Sequence, residues 1–362
     1  MNWSVNPENL KMIEALSNAK SPSGFEDETI AAARPFAEPI GPLKEDHLRN
    51  FYIGRHANTG KKPLMMLDAH SDEVGFMVHS IHENGTIRFI ELGRWSLNTL
   101  PSSKVLVRNA LGEYIPGIIA AKPVHFMSAA ERANPVLEMK NLVIDVGAVS
   151  KEEAIRDYHI RIGEPIISDV RFTYDEAHDV MMGKAFDCRI GCAALLETMR
   201  RLKDEALDMD LVGVLSSQEE VGERGATVAV NTVRPNIAIC FEGCPADDTF
   251  TEPYAIQTAL KKGPMIRFMD CSIICSPRYQ RYTLDLAAEK GIPVQASVRE
   301  GGGNNGAVIN TSLDGIPVIV IGVPVRYIHS HYGITSYYDF EASVRLAVEV
   351  VRSMNAEVID SF

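Results

Sequence analysis

Apolar positions along this 362-residue chain follow two different rhythms. At the start, Leu10 to Leu16 has the spacing of a short amphipathic helix. Ser23-Gly-Phe-Glu26 then has the S-x-x-E form of a capping box, which predicts a helix running through Ile30 to Phe36. Leu64-Met-Met-Leu67 is a compact apolar run ending in polar residues, as in a strand covered on both faces. From about Val74 to Ile167 the runs become short and often alternating: Val74, Phe76 and Val78; Ile87 and Phe89; Val105 and Val107; Ile115 to Ile119; Leu142 to Val146. Glycine and asparagine punctuate them at Asn84-Gly85, Asn109, Gly112 and Gly117. That texture predicts a small all-β barrel or sandwich of roughly a hundred residues.

Beyond Gly183 the pattern changes back. Leu195, Leu196, Met199 and Leu202 recur at helical spacing, Leu211 to Leu215 reads as a strand, and Val221 to Val230 as a helix. Ile237 to Phe241 is another strand, Arg278 to Lys290 a helix closed by Gly291, Val294 to Val298 and Val318 to Gly322 strands, and Phe340 to Met354 a final helix. Strands separated by helices imply a mixed, mostly parallel sheet with helices on both faces. The expected architecture is therefore one α/β domain, residues 1–72 and 183–362, interrupted by a small all-β, barrel-like inserted domain at 73–182.

Length agrees with that division, because a chain this long tends to split beyond one core. A formal net charge of -12 argues against a nucleic-acid partner, which would select a basic stripe. No apolar stretch approaches the roughly 20 residues of a membrane span, so no membrane partner is expected. The opening Met-Asn-Trp-Ser-Val-Asn-Pro-Glu has neither the basic nor the apolar region of a secretory leader, and the expectation is a cytoplasmic protein. Six cysteines fall in three C-x3-C pairs, 188/192, 240/244 and 271/275. Zinc and redox sites favour C-x2-C, so these are read as buried free thiols.

Candidate chemistry gathers where the strands end. His70 and Asp72 follow the first buried strand, Glu219 and Glu220 the strand at 211–215, Glu242 the strand at 237–241, and His329 the strand near 318–324; Asp187 precedes a predicted helix. In an open α/β sheet the crevice beyond the carboxyl ends of the strands is where sites are built. Two imidazoles with several carboxylates form a mixed N/O set suited to Zn2+, Co2+ or Mn2+ rather than a thiolate site. His70-x-Asp72 in extended backbone puts both side chains on one face, so Asp72 can accept the second ring N–H of His70. A lone His-x-Asp pair more often means a surface hydrogen bond. Adjacent Glu219 and Glu220 after a buried strand need a reason, which one glutamate on a metal and the other acting as proton acceptor supplies. Asp187 has the place of a helix N-cap, and the same carboxylate could bridge two ions. Gly301-Gly-Gly-Asn-Asn-Gly306 lacks both nucleotide-binding registers and is read as a wall of the site.

These pieces resemble the M42 metallopeptidases, the family of glutamyl and tetrahedral aminopeptidases. The matching segments are Ser23-Gly-Phe-Glu26, Asp68-Ala-His-Ser-Asp-Glu-Val-Gly75, Lys184-Ala-Phe-Asp-Cys-Arg-Ile-Gly191, Gln218-Glu-Glu-Val-Gly-Glu-Arg-Gly-Ala226 and Val325-Arg-Tyr-Ile-His-Ser330. Lys122-Pro-Val-His125 and Asp145-Val-Gly147 extend the likeness into the β insertion. The resemblance implies a dinuclear site: Asp187 bridging, His70, Glu220, Glu242 and His329 completing the ligands, Glu219 as catalytic base and Asp72 orienting His70. It implies two divalent ions, a peptide substrate, and a homo-oligomer, either a dimer through the β domain or a dodecamer.

Three positions depart from the family pattern. Glu242 stands where aspartate is usual, leaving Asp247 and Asp248 as alternative ligands; Asn304-Asn305 replaces Thr-Asp; and His331 competes with His329 on spacing. The implied reaction is removal of N-terminal residues from peptides. A metal-dependent deacylase on the same scaffold and a non-enzymatic binding protein are the rivals. Substrate-binding residues are not assigned by the sequence. Arg267, Arg278 and Arg299 are candidates for selecting an acidic first residue.

Overall fold

The computed structural model describes residues 3–133 and 136–362. Seventeen strands are described. β1 Leu43–Glu45, β2 Phe51–Gly54 and β3 Leu64–His70 begin the main layer. Then come β4 Gly75–Ile81, β5 Ile87–Leu92, β6 Lys104–Arg108, β7 Tyr114–Ala120, β8 Val143–Asp145 and β9 Pro165–Ser168. A short pair, β10 Thr173–Asp175 and β11 Val180–Gly183, precedes β12 Asp210–Ser216, β13 Ile237–Pro245, β14 Met265–Met269, β15 Gln295–Val298, β16 Val318–Val325 and β17 Gly333–Thr335.

The main sheet has eight strands in the order β1-β2-β12-β3-β13-β16-β14-β15. Its centre, β12-β3-β13-β16, is parallel throughout, with antiparallel pairing at β1–β2, β2–β12 and β14–β16. Alternate side chains explain why these strands read as continuous apolar runs. Met65, Leu67 and Ala69 of β3 join a core formed with helices Pro7–Asn18, Asp27–Ala37, Phe186–Leu202, Pro277–Lys290 and Tyr337–Ser353. Met66, Val214, Ala238, Cys240, Val318 and Val320 face the other way, against helices Arg224–Val233 and Gly306–Asn310. Both faces are covered, as the doubly buried pattern demanded.

The alternating segment folds as a closed barrel, β4-β5-β8-β7-β6-β9. Phe76, Val78, Ile87, Phe89, Val105, Val107, Ile119, Ile144 and Ile166 point inward to fill it. The following hairpin β10–β11 pairs instead with β17, on the α/β side. The chain leaves the main sheet just after His70 and re-enters just before Asp187, so the barrel is rooted at the rim where the candidate ligands lie.

Three local expectations are corrected. Glu242 lies inside a strand, because β13 continues to Pro245 alongside β16. The helix expected from Val221 begins at Arg224, since Gly222 and Glu223 take positive φ (118° and 56°) and keep 219–223 as a turn. Helix Asp27–Ala37 starts without any side-chain cap, so Ser23 and Glu26 do not form a capping box. No helix among the described residues is long and apolar enough to cross a membrane.

Candidate metal centre

Five segments bring the candidate ligands together at the carboxyl edge of the central strands. His70 is the last residue of β3, Glu219 and Glu220 follow β12, Glu242 is in β13, and His329 follows β16. Asp187 sits at the start of Phe186–Leu202 with non-helical φ/ψ of -85° and 106°. It can lie so close to β13 because the facing residue is Gly243: a Cβ there would be 2.3 Å from Phe186 O and 2.9 Å from Asp187 Cα.

The two oxygens of Asp187 face different histidines. Oδ1 is 3.0 Å from His70 Nε2, and Oδ2 is 3.3 Å from His329 Nε2. On the first side Glu242 Oε2 is 3.9 Å from His70 Nε2; on the second Glu220 Oε2 is 3.5 Å from His329 Nε2. Glu219 Oε2 lies 3.9 Å from His70 Nε2. Both rings are fixed from behind: His70 Nδ1 lies 3.2 Å from Asp72 Oδ1, and His329 Nδ1 lies 2.7 Å from the Arg94 carbonyl oxygen. Donation from each Nδ1 leaves Nε2 to face the cluster, the usual arrangement for imidazole ligands.

The charge pattern fits cations. Burial pushes the Glu219 and Glu242 carboxyls well above the usual range against the opposing charge of His70, with Asp187 adding to both shifts. Burial, with Asp187, pushes Glu220 up to about 8. His329 is carried up to about 10 despite burial, by Glu220 and Asp187; His70 is raised well above the ordinary imidazole range by Glu219, Asp187 and Asp72, also against burial. Asp187 is held low despite burial by its bonds to both histidines. Protons thus stand in for the positive charge that divalent ions would supply. Glu220 Oε1 is buried without a hydrogen-bond partner. His70, Asp187 and Glu242 form one compact donor group and Asp187, Glu220 and His329 another, with Asp187 common to both; His70, Glu219 and Glu220 form a third. Cys188 adjoins the first group, and its thiol donates to Phe241 O at 3.2 Å.

The remaining candidates lie elsewhere. Asp247 accepts the backbone N–H groups of Gln257 and Thr258, and Asp248 pairs with Arg326. His331 is buried against Trp95, ring centroids 5.2 Å apart, and neither of its ring nitrogens has a hydrogen-bond partner among the described residues. All six cysteines are free; five are buried and Cys271 is exposed, contrary to the reading of six buried thiols. A cavity of about 370 Å³ adjoins the cluster. Gly301, Gly302 and Gly303 line it together with Arg94, Arg267 and Arg299, whereas Arg278 binds the Phe362 carbonyl instead. Asn304 and Asn305 are buried behind that wall, bonded to Asp270 and Asp68.

Two contributions were missed from the sequence. One is the Arg94 carbonyl, a backbone atom on a barrel loop, which no residue pattern announces. The other is the pair Ser23 and Glu26: Ser23 Oγ donates to Asp72 Oδ2 at 2.6 Å, and Glu26 Oε1 accepts the Gln218 N–H at 3.1 Å.

An α/β layer with clustered N/O donors at its strand ends is the architecture of a metal-dependent hydrolase. The chain belongs to the M42 glutamyl aminopeptidase family, which matches residues 50–346, and is an aminopeptidase acting on peptides. It is 29% identical to the glutamyl aminopeptidase of Lactococcus lactis, covering 96% of this chain and 97% of that protein. The TET aminopeptidase of the marine sediment archaeon Thaumarchaeota archaeon SCGC AB-539-E09 shares its fold at a TM-score of 0.93 and 34% identity, covering 98% and 99% of the two chains. The TET1 peptidase of Pyrococcus horikoshii, which can assemble into a tetrahedron or a large octahedral shell, superposes at a TM-score of 0.85 with 26% identity, covering 96% and 100%.

Proposed function

We propose that this aminopeptidase binds two divalent ions, Zn2+, Co2+ or Mn2+, and uses Glu219 as its general base. His70, Asp187 and Glu242 hold one ion, and Asp187, Glu220 and His329 the other. The observation that carries this reading is the opposed pairing of Asp187, one oxygen toward each histidine. When bound, the ions polarise the scissile carbonyl and make water nucleophilic near neutral pH.

The protein groups do the rest. Glu219 takes a proton from the attacking water as the new C–O bond forms, and returns it to the nitrogen as the C–N bond breaks. Asp72 fixes the geometry by accepting the Glu219 and Glu220 N–H groups, at 3.0 and 3.2 Å, while holding His70. Glu219→Gln tests the role: metal content is retained while turnover falls at least about 100-fold. Full activity in that variant would remove Glu219 as the base.

Three arginines line the cavity and favour an acidic first residue of the peptide. The barrel carries exposed Ile118, Val124, Phe126 and Val136, apolar surface suited to contact between copies. With the shell-forming relative, this supports a homo-oligomer assembled through segment 73–182, as a dimer or a dodecamer. Light scattering that shows a stable monomer would exclude it. Six free cysteines accord with a reducing compartment, the cytoplasm.

A further inference from the structure

Ser23 and Glu26 are buried at the centre yet serve no helix and hold no place in the donor set. Asp72, itself fully buried, is the hub between them and the cluster. Its Oδ1 meets His70 Nδ1 and the Glu219 N–H; its Oδ2 accepts the Glu220 N–H and the Ser23 hydroxyl. Ser23 is thus one of the four groups that hold the hub carboxylate.

Glu26 grips the other side of the same turn. Its Oε1 accepts Gly24 N–H at 2.8 Å and Gln218 N–H at 3.1 Å, and its Oε2 is buried with no partner. Gln218 has φ of 54°, a left-handed conformation unfavourable for a residue with a side chain. Such backbone persists where its surroundings over-determine it. Here Asn50 Oδ1 accepts the Ser217 N–H, Glu26 the Gln218 N–H, and Asp72 the next two. Four successive N–H groups are therefore held by three side chains from distant parts of the chain.

We propose that Ser23 and Glu26 are positioning residues of the hydrolytic centre. Ser23 acts through Asp72 and Glu26 through the Gln218 backbone, presenting Glu219 and Glu220 to the cluster in one orientation. The proposal rests on the roles given above to those two glutamates.

The test compares Glu26→Ala, Glu26→Gln, Ser23→Ala and Ser23→Thr, reading kcat and KM separately, Zn2+ affinity and Tm. Glu26→Ala lowers kcat or Zn2+ affinity about 10–100-fold, with KM changed much less. Glu26→Gln keeps an acceptor oxygen and recovers most of the loss; Ser23→Thr recovers that of Ser23→Ala in the same way. A Glu26→Ala protein with lowered Tm but unchanged kcat and Zn2+ affinity overturns the proposal, as does a glutamine variant no better than alanine. If Glu26→Ala does not fold, the Ser23 pair decides by the same criteria. Should the wild-type protein cleave no peptide, the proposed function fails, while the ranking of Zn2+ affinities still decides the positioning role.

Discussion

Replacing Gly93 by alanine adds one carbon where the barrel loop crosses the cluster. Gly93 has φ of 78°, and a Cβ there would lie 2.7 Å from Val74 Cγ1, 3.0 Å from Glu220 Oε2 and 3.2 Å from Glu220 Cβ. Left-handed backbone costs alanine about 1–2 kcal/mol, and overpacking a filled site about 1–3 kcal/mol more. Relief requires Glu220 to move or the loop to lift. The loop is pinned, because Trp95 stacks on Phe76 at 4.7 Å and donates to Gly75 O, while the Arg94 carbonyl and Ser96 N–H both bind His329. Either movement displaces a member of the proposed Asp187–Glu220–His329 donor group. If about 2 kcal/mol of the cost falls there, metal affinity drops about 30-fold at that group alone. Titration of Zn2+ against a chromophoric chelator resolves the two equivalents. Gly112→Ala is the control: its φ is 81° but nothing lies within 4 Å of the added carbon. It carries the backbone cost without the clash and binds both ions normally. Two wild-type equivalents in Gly93→Ala would refute the idea that this loop holds the site.

The remaining predictions concern protons, stability and selectivity. Before metal binds, Glu220 and Asp187 carry His329 up to about 10 and burial pushes Glu220 up to about 8, so the pair holds a proton at pH 7 that a bound metal would displace. Binding at pH 7 therefore releases protons and affinity rises with pH; calorimetry in buffers of different ionisation enthalpy checks this, and buffer-independent heats contradict it. Glu73→Gln leaves Lys184 and Arg189 buried without their counter-charge and lowers stability by about 3–5 kcal/mol in urea unfolding. Arg94→Ala lowers kcat/KM for glutamyl p-nitroanilide about tenfold while leaving the leucyl substrate nearly unchanged. Equal losses on both substrates would remove the arginine from selectivity.

Much of the molecule was legible because its signals are local. Alternation in 74–167 announced the barrel, and apolar runs followed by His or Glu announced strands that deliver polar groups to one edge. What escaped depended on distant partners or on backbone. Ser23 and Glu26 satisfy the S-x-x-E pattern as well as any cap does, and only the fold reveals that their partners are Asp72 and, 192 residues away, Gln218. Glu242 was read as lying past its strand because the apolar run stops at Phe241. Pairing with β16 carries the strand on through polar and small residues to Pro245. The helix expected over Val221 to Val230 starts instead at Arg224, because Gly222 and Glu223 take positive φ, a backbone feature that composition does not announce.

The same contacts explain how a long insertion can sit on the rim without disturbing it. Its two chain ends are joined directly: Glu73, where the chain departs, binds Lys184, where it returns, at 2.6 and 2.8 Å, and both also bind the segment 19–21. Arg189, two residues beyond Asp187, bonds to the same segment and lies 3.4 Å from Glu73. This buried ion group anchors the backbone on both sides of the insertion, next to Asp72 and Asp187. The barrel then reaches back at a third point, where the Arg94 carbonyl orients His329. Further contacts tie the barrel to the α/β layer: the Tyr114 hydroxyl donates to Lys20 O at 3.4 Å, the Arg108 guanidinium lies over the Phe25 ring, and Trp95 packs on His331. On the opposite side of the cluster His70 is held from the sheet by Asp72, so His70 and His329 are oriented from different domains, one by the α/β layer and the other by the barrel loop.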